Sequence, residues 1–140
     1  MTRIEFFFNV PDKLAKVAEL CEKEIAKGRK VTVHTQSDEM NTDLQNHLWQ
    51  HSATSFLPSS KQQEVQSDWA PLIIDCLGDK LIQDDVLINL QLQHPSFFSR
   101  FRYLAELVGI DEADKAAARI RYRFYKDRGY EVSSIDTSVV

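Results

Sequence analysis

The chain has 140 residues, 43% of them apolar and 27% charged, and its 21 acidic side chains outnumber 17 basic ones for a formal charge of −4. That length fits one domain with a sizeable core, and apolar runs such as "FFF" and "PLII" are far too short to span a bilayer. Overall acidity argues against broad nucleic-acid binding but leaves room for a local basic patch.

In chain order, "IEFFFNV" is short, β-rich and ended by Pro11, which predicts a buried strand. "DKLAKVAELCEKEIAKG" follows as a helix, with Leu14, Val17, Ala18, Cys21 and Ile25 on one face and Gly28 as its stop. "RKVTVHT" reads as a second strand. Ser37 then caps "DEMNTDLQNHLWQH", a helix with acids in its first turn and a stripe of Met40, Leu44 and Leu48. "TSFLPSSKQQEVQSDWA" is irregular and polar and is expected to be a long surface loop. "PLIIDC" and "VLINLQL" read as two more strands, and "HPSFFSRF" as a short helical turn. "RYLAELVG" is ambiguous between helix and strand, because its composition favours one and its length and closing glycine the other. The last regular element is a helix over "DEADKAAARIRYRFYKDRG", stopped by Gly129. Strands alternating with helices predict an α/β fold of three layers, a mainly parallel sheet with helices on both faces.

Catalytic signals are weak. The first turn, "NVPDKL", holds no glycine, and neither a dinucleotide fingerprint nor a P-loop occurs, so no cofactor is expected. His47 and His51 stand four apart, a spacing that two metal ligands share, but Leu48 occupies the place where metalloproteases of that spacing carry glutamate. No third ligand accompanies Asp84 and Asp85, which read as a solvated turn. Cys21 and Cys76 fit no metal spacing. With no apolar region and cleavage site at the amino terminus, they are expected to be reduced thiols in a cytoplasmic protein.

The strongest signal is the last helix. At about 100° per residue, Ala113, Ala116, Ala117, Ile120 and Phe124 form one stripe, expected to face the sheet. Lys115, Arg119, Tyr122, Arg123 and Lys126 form a second, expected to be an exposed cationic strip with one aromatic ring. Residues 115–130 hold six basic side chains and one acid, a net of +5, which leaves −9 for the rest. Four of the six are arginine, the side chain suited to gripping carboxylate or phosphate. The residues alone leave a solvated face and an anion-binding face both open.

The run "ARIRYRFYKDRGY", preceded by "AELVG", resembles the carboxyl-terminal part of the chi subunit family of bacterial DNA polymerase III. "IEFFFNV", "GRKVTVHTQSDE", "LWQHSATSFLP" and "DVLINLQ" recur in that family's order, so the resemblance covers nearly the whole of residues 1–140 as one domain. Ser59 and Ser60 depart from it, since the family's "SFVP" tract is often followed by histidine and glycine. The resemblance implies a nucleotide-binding-like sheet without the nucleotide, and hence a strand at "RYLAELVG". It implies a non-catalytic accessory subunit of the clamp-loader complex. Its partners would be the psi subunit and the acidic carboxyl-terminal tail of single-stranded-DNA-binding protein, with DNA contacted indirectly. The tail site would map onto Val108, Lys115, Arg119, Tyr122, Arg123 and Lys126. The psi seat would map onto Trp49, Phe56, Leu57 and Pro58, at a helix end and the loop after it, although the residues alone read slightly more readily as core packing. The competing reading is a module that binds single-stranded nucleic acid through the same basic helix.

Overall fold

The computed structural model describes residues 2–51, 59–61, 72–75, 85–95 and 97–137, with the backbone alone described at 38, 47–51, 59–61 and 72–75. Its elements in chain order are β1 (Arg3–Val10), α1 (Lys13–Ala26), β2 (Val31–His34), α2 (Asp38–His51), β3 (Ser59–Lys61), β4 (Leu72–Asp75), β5 (Val86–Asn89), β6 (Tyr103–Gly109), α3 (Glu112–Asp127) and β7 (Val132–Asp136). A 3-10 turn at Phe98–Arg100 precedes β6, where a helical turn is expected from the sequence. The described strands form one sheet in the order β3-β4-β2-β5-β6-β1-β7, and all the pairings are parallel.

A parallel sheet covered on both faces needs strands that are apolar throughout. β2, β5 and β6 are buried at every position and largely apolar, with Thr32, His34, Asn89 and Glu106 as buried polar exceptions. That decides the ambiguous "RYLAELVG". Its Leu, Ala and Glu favour helix in isolation, but burial on two sides outweighs so small a propensity. Alternate side chains sort to opposite faces. Phe7, Val33, Ile88 and Ala105 join Val17, Ala18 and Cys21 of α1 and Leu44 of α2 in one core. Ile4, Phe6, Leu87 and Leu104 join Ala118 and Tyr125 of α3 in the other. Burial pushes the Cys21 thiol up to about 12, with Glu22 adding to the effect, so this cysteine stays protonated and unreactive.

Helix ends follow the sequence signals. Asp12 caps α1, its Oδ1 accepting from the amides of Leu14 and Ala15 at 3.1 and 3.3 Å. The Ser37 hydroxyl accepts from the Met40 amide at 3.2 Å ahead of α2. Gly28 and Gly129 follow α1 and α3 at φ 82° and 85°, a left-handed turn that glycine adopts without strain.

The face of α3 differs from expectation. Ala113 and Ala116 are exposed, Ile120 is 73% exposed, and Ala117 and Phe124 are half-buried. The buried positions are Asp114, Ala118, Arg121 and Tyr125, one residue on, which turns the helix by about 100°. The cause lies in the sheet. Glu106 on β6 points at α3 with no solvent exposure. Its Oε1 accepts from Arg121 Nε at 3.1 Å and Asn89 Nδ2 at 2.9 Å, and its Oε2 accepts from the Tyr125 hydroxyl at 2.5 Å. Burial raises the Glu106 carboxyl above the usual carboxylate range, against the pull of Arg121, Tyr125 and Asn89. A buried acid demands such partners far more strongly than alanine or a single isoleucine demands burial.

The sequence also gives no sign of β7. Only Val132 of its five residues is buried, and two serines follow it, so the strand lacks an apolar pattern. Within the predicted polar loop the structure forms β3; residues 52–58 and 62–71, as well as Cys76 and Asp84, lie outside the described residues. So do the side chains of His47, Leu48 and His51.

Arg121→Met leaves Glu106 buried without its cation and is expected to cost about 3–5 kcal/mol in urea unfolding. Adding Glu106→Gln removes the stranded charge and should recover a large part of the loss.

Candidate functional site

A groove of about 270 Å³ opens on the α3 side of the sheet. Its floor is Phe6, Phe8 and Asn9 of β1, Val108 of β6 and Ser134 of β7, and its wall is Lys115, Ala118, Arg119 and Tyr122 of α3. Period-two alternation turns Phe6 and Phe8 toward the helix, and the same alternation brings Val108 up beside them. Ala118, 7% exposed, lets α3 approach the sheet closely. Residues 115, 119, 122 and 126 are spaced four, three and four apart, so they share one side of the helix, and the first three of them border the groove.

Four of the six positions expected to hold a tail therefore meet in one cavity: Val108, Lys115, Arg119 and Tyr122. Arg123 and Lys126 continue the row along the exposed side of α3, outside the groove lining. The Tyr122 ring is half-buried, 5.3 Å from Phe6 and tilted by 56°, and Lys126 Nζ lies 5.8 Å from its centroid. Among the described residues, Lys115, Arg119 and Arg123 form no ion pair. Arg121 is the contrast, 2% exposed and committed to Glu106. Alternate arginines of "ARIRYR" thus do different work, Arg121 inward and its neighbours outward. Sequence reasoning missed Phe6, Phe8, Asn9, Ala118 and Ser134. The phase of "FFF" holds a signal for the first two, while Ser134 has none without β7.

The start of α3 is tied to the carboxyl end of β6, outside the groove lining. Asp114 Oδ2 accepts from the Gly109 amide at 2.6 Å and pairs with Lys13 Nζ at 2.7 Å. The approach is close, since a Cβ on Gly109 would lie 3.1 Å from that oxygen. Burial pushes the Asp114 carboxyl up, but the bonds from Lys13 and Gly109 and the charges of Lys13 and Arg121 outweigh it and hold the group below its ordinary value.

Phosphate binding at the first turn is blocked by the chain itself. The α1 amides that a phosphate would use are taken by Asp12, whose negative charge sits where the anion would be. No group of three or more potential metal ligands occurs among the described residues. Nor is any described helix long and apolar enough to cross a membrane.

Comparison with known proteins gives the family. The family model described as "DNA polymerase III chi subunit, HolC" matches residues 1–133. The chain belongs to the chi family of DNA polymerase III subunits. It is 32% identical over 135 residues to DNA polymerase III subunit chi of Pseudomonas aeruginosa, covering 93% of each chain. It is also 32% identical over 108 residues to that of Haemophilus influenzae, covering 76% of this chain and 75% of the relative. With the chi subunit of Escherichia coli it shares 24% identity over 119 residues. The fold is similar to the C-terminal domain of the DEAD-box protein Dbp5, with a TM-score of 0.68 at 11% identity over 99% of this chain and 91% of that one. That likeness concerns the sheet and its helices alone.

Asp114→Ala is expected to lower stability at neutral pH by about 1.5–3 kcal/mol, the scale of a lost charge-assisted hydrogen bond. A depressed carboxyl stabilises above its unfolded value and stops doing so as pH falls through its folded value. The gap between wild type and variant in thermal melts should therefore close in acid.

Proposed function

We propose that this chi-family chain is a non-catalytic accessory subunit whose groove receives the acidic carboxyl-terminal tail of single-stranded-DNA-binding protein. The observation that carries the reading is the pairing of an apolar cavity with uncommitted cations on its rim. Phe6, Phe8, Val108 and Tyr122 suit the terminal phenylalanine ring of such a tail. Lys115 and Arg119 stand where its terminal carboxylate and nearby acids need charge, and Arg123 and Lys126 extend the field along α3. A net of −9 over the rest of the chain would oppose a long polyanion, whereas a short acidic tail meets only the exposed cations of α3, with Arg121 turned inward to Glu106. The Tyr122 ring packs on Phe6, so it is poorly placed as a platform for stacking bases.

Burying one phenylalanine is worth about 1.5–3 kcal/mol, and each partly exposed ion contact adds roughly 1 kcal/mol. Ordering a flexible tail offsets much of this. The expected single-tail affinity is about micromolar, near −8 kcal/mol. Many tails on coated DNA raise the effective affinity without new contacts. Through psi, the same chain would tether that filament to the clamp loader. For the psi seat we propose Trp49 on α2 and Phe56, Leu57 and Pro58 after it, because the family resemblance points to this stretch and its aromatic and apolar composition suits a stable interface.

Calorimetry with a synthetic acidic peptide ending in phenylalanine should give binding that weakens with added salt. Removing the terminal phenylalanine should weaken it roughly 10- to 100-fold, and Arg119→Glu roughly tenfold. Salt-independent binding, or tighter binding of a bare oligonucleotide than of the peptide, would sink the reading. Phe56→Asp or Trp49→Asp should abolish co-purification with psi and leave a folded monomer by circular dichroism. Loss of folding instead would assign those side chains to the core.

A further inference from the structure

We propose that the outer edge of β7 pairs with the docked tail as an added β-strand, so that backbone hydrogen bonds as well as the groove hold it. The inference rests on the tail reading above and concerns how that tail is gripped. β7 ends the sheet, and no described strand pairs with its outer side. The direction in which its backbone groups point follows from two bonds. The Ile4 amide donates to the Glu131 carbonyl at 3.2 Å, and the Thr137 amide donates to the Phe8 carbonyl at 3.0 Å. In a parallel strand each residue turns its N–H and C=O to one side, and successive residues alternate. Residues 131, 133, 135 and 137 thus face β1, and Val132, Ser134 and Asp136 turn their backbone groups outward.

Ser134 is the member of that outward set that also lines the groove. It pairs in register with Phe6, on the groove floor. A short side chain here leaves the gap between edge and cavity open, so a strand on the edge could drop an alternate side chain into the groove. Natural sheets blunt their edges with lysine, proline or a bulge. β7 reads Val-Ser-Ser-Ile-Asp and keeps an unbroken register against β1. Ile135 is 39% exposed on the same strand. Across the groove, Lys115 and Arg119 give the added strand an electrostatic reason to be acidic.

The test uses the acidic peptide ending in phenylalanine, with its backbone amides N-methylated one at a time. Methylation at alternate positions should weaken binding roughly five- to tenfold, the scale of one net hydrogen bond, while the intervening positions tolerate it. Ser134→Pro removes an outward N–H without touching a bond to β1, a place where edge strands accept proline. It should match that loss, and Ser134→Ala should keep full affinity. Uniform tolerance of N-methylation with undiminished binding to Ser134→Pro overturns the added strand and leaves the tail reading standing. So does sedimentation in which Ser134→Pro dissolves a dimer while peptide affinity is unchanged, since the edge then serves a second copy. An unmodified peptide that fails to bind overturns the tail reading, and the added strand with it.

Discussion

Glu106 places a carboxylate with no solvent exposure on the α3 side of β6, and three donors converge on it from Asn89, Arg121 and Tyr125. Two of those donors belong to α3, one turn apart, so the acid fixes the helix's rotation as well as its position. With Arg121 and Tyr125 turned inward, Lys115, Arg119 and Tyr122 come to border the groove. Were the helix turned to bury Ala113, Ala117, Ile120 and Phe124, the cationic row would shift by about 100° away from the β1–β7 flank. Buried ion pairs contribute little net stability and are more useful for selecting one arrangement among several. Here the arrangement selected is the one that builds the site.

The groove needs both small and large residues at set places. Ala118 brings the helix down onto the sheet, Phe6 and Phe8 supply apolar floor, and Ser134 keeps the β7 side low. Asp114 then ties the first turn of α3 to the end of β6 and to Lys13 of α1, so helices on both faces of the sheet are linked at the carboxyl end of β6. The acidic remainder of the chain narrows what the cationic rim attracts. A field of mixed sign favours a short acidic segment over a long uniform polyanion, because only the segment avoids the repelling surface.

β1, β2, β4 and β5 were legible because burial in a sheet forces short, largely apolar, β-rich runs, as in "VLIN" and "IEFFFNV"; β6 was ambiguous, and β3 fell within a predicted loop. The helix ends were legible where Ser37, Gly28 and Gly129 act locally, whereas Asp12, read as the first residue of a helix, caps α1 instead. The cationic row was legible too, since one-sided spacing along a helix does not depend on its rotation. The rotation itself was not, because it answers to Glu106, whose burial depends on the sheet order. β7 was illegible for a related reason: an edge strand with one buried residue has no hydrophobic pattern, and its existence follows from β1 offering a free edge. The groove was therefore half visible, its helical wall in the sequence and much of its floor only in the fold.

The proposed tail site lies on the flank of the sheet, away from the fold's usual place for a ligand. In open α/β sheets ligands gather at the carboxyl ends of the strands. Here a cavity of about 430 Å³ lies at those ends, lined in part by Val10, Gln36, Leu92 and Gly109, and the segment after β5 that supplies Leu92 is tied down by the chain itself. Asn89, at the end of β5, donates to the Gln93 carbonyl at 3.2 Å and accepts from the Gln91 amide at 3.1 Å. Arg121 Nη1 donates to the Leu92 carbonyl at 2.7 Å. His94 in the same segment stacks on Phe124 at 3.7 Å. The segment after β5 is thus strapped down by the same network that orients α3, and Asp12 holds the amides of the first turn. One set of buried polar contacts thus fixes the segment after β5 and turns the cationic side of α3 to the sheet's edge, where an extended chain can reach it.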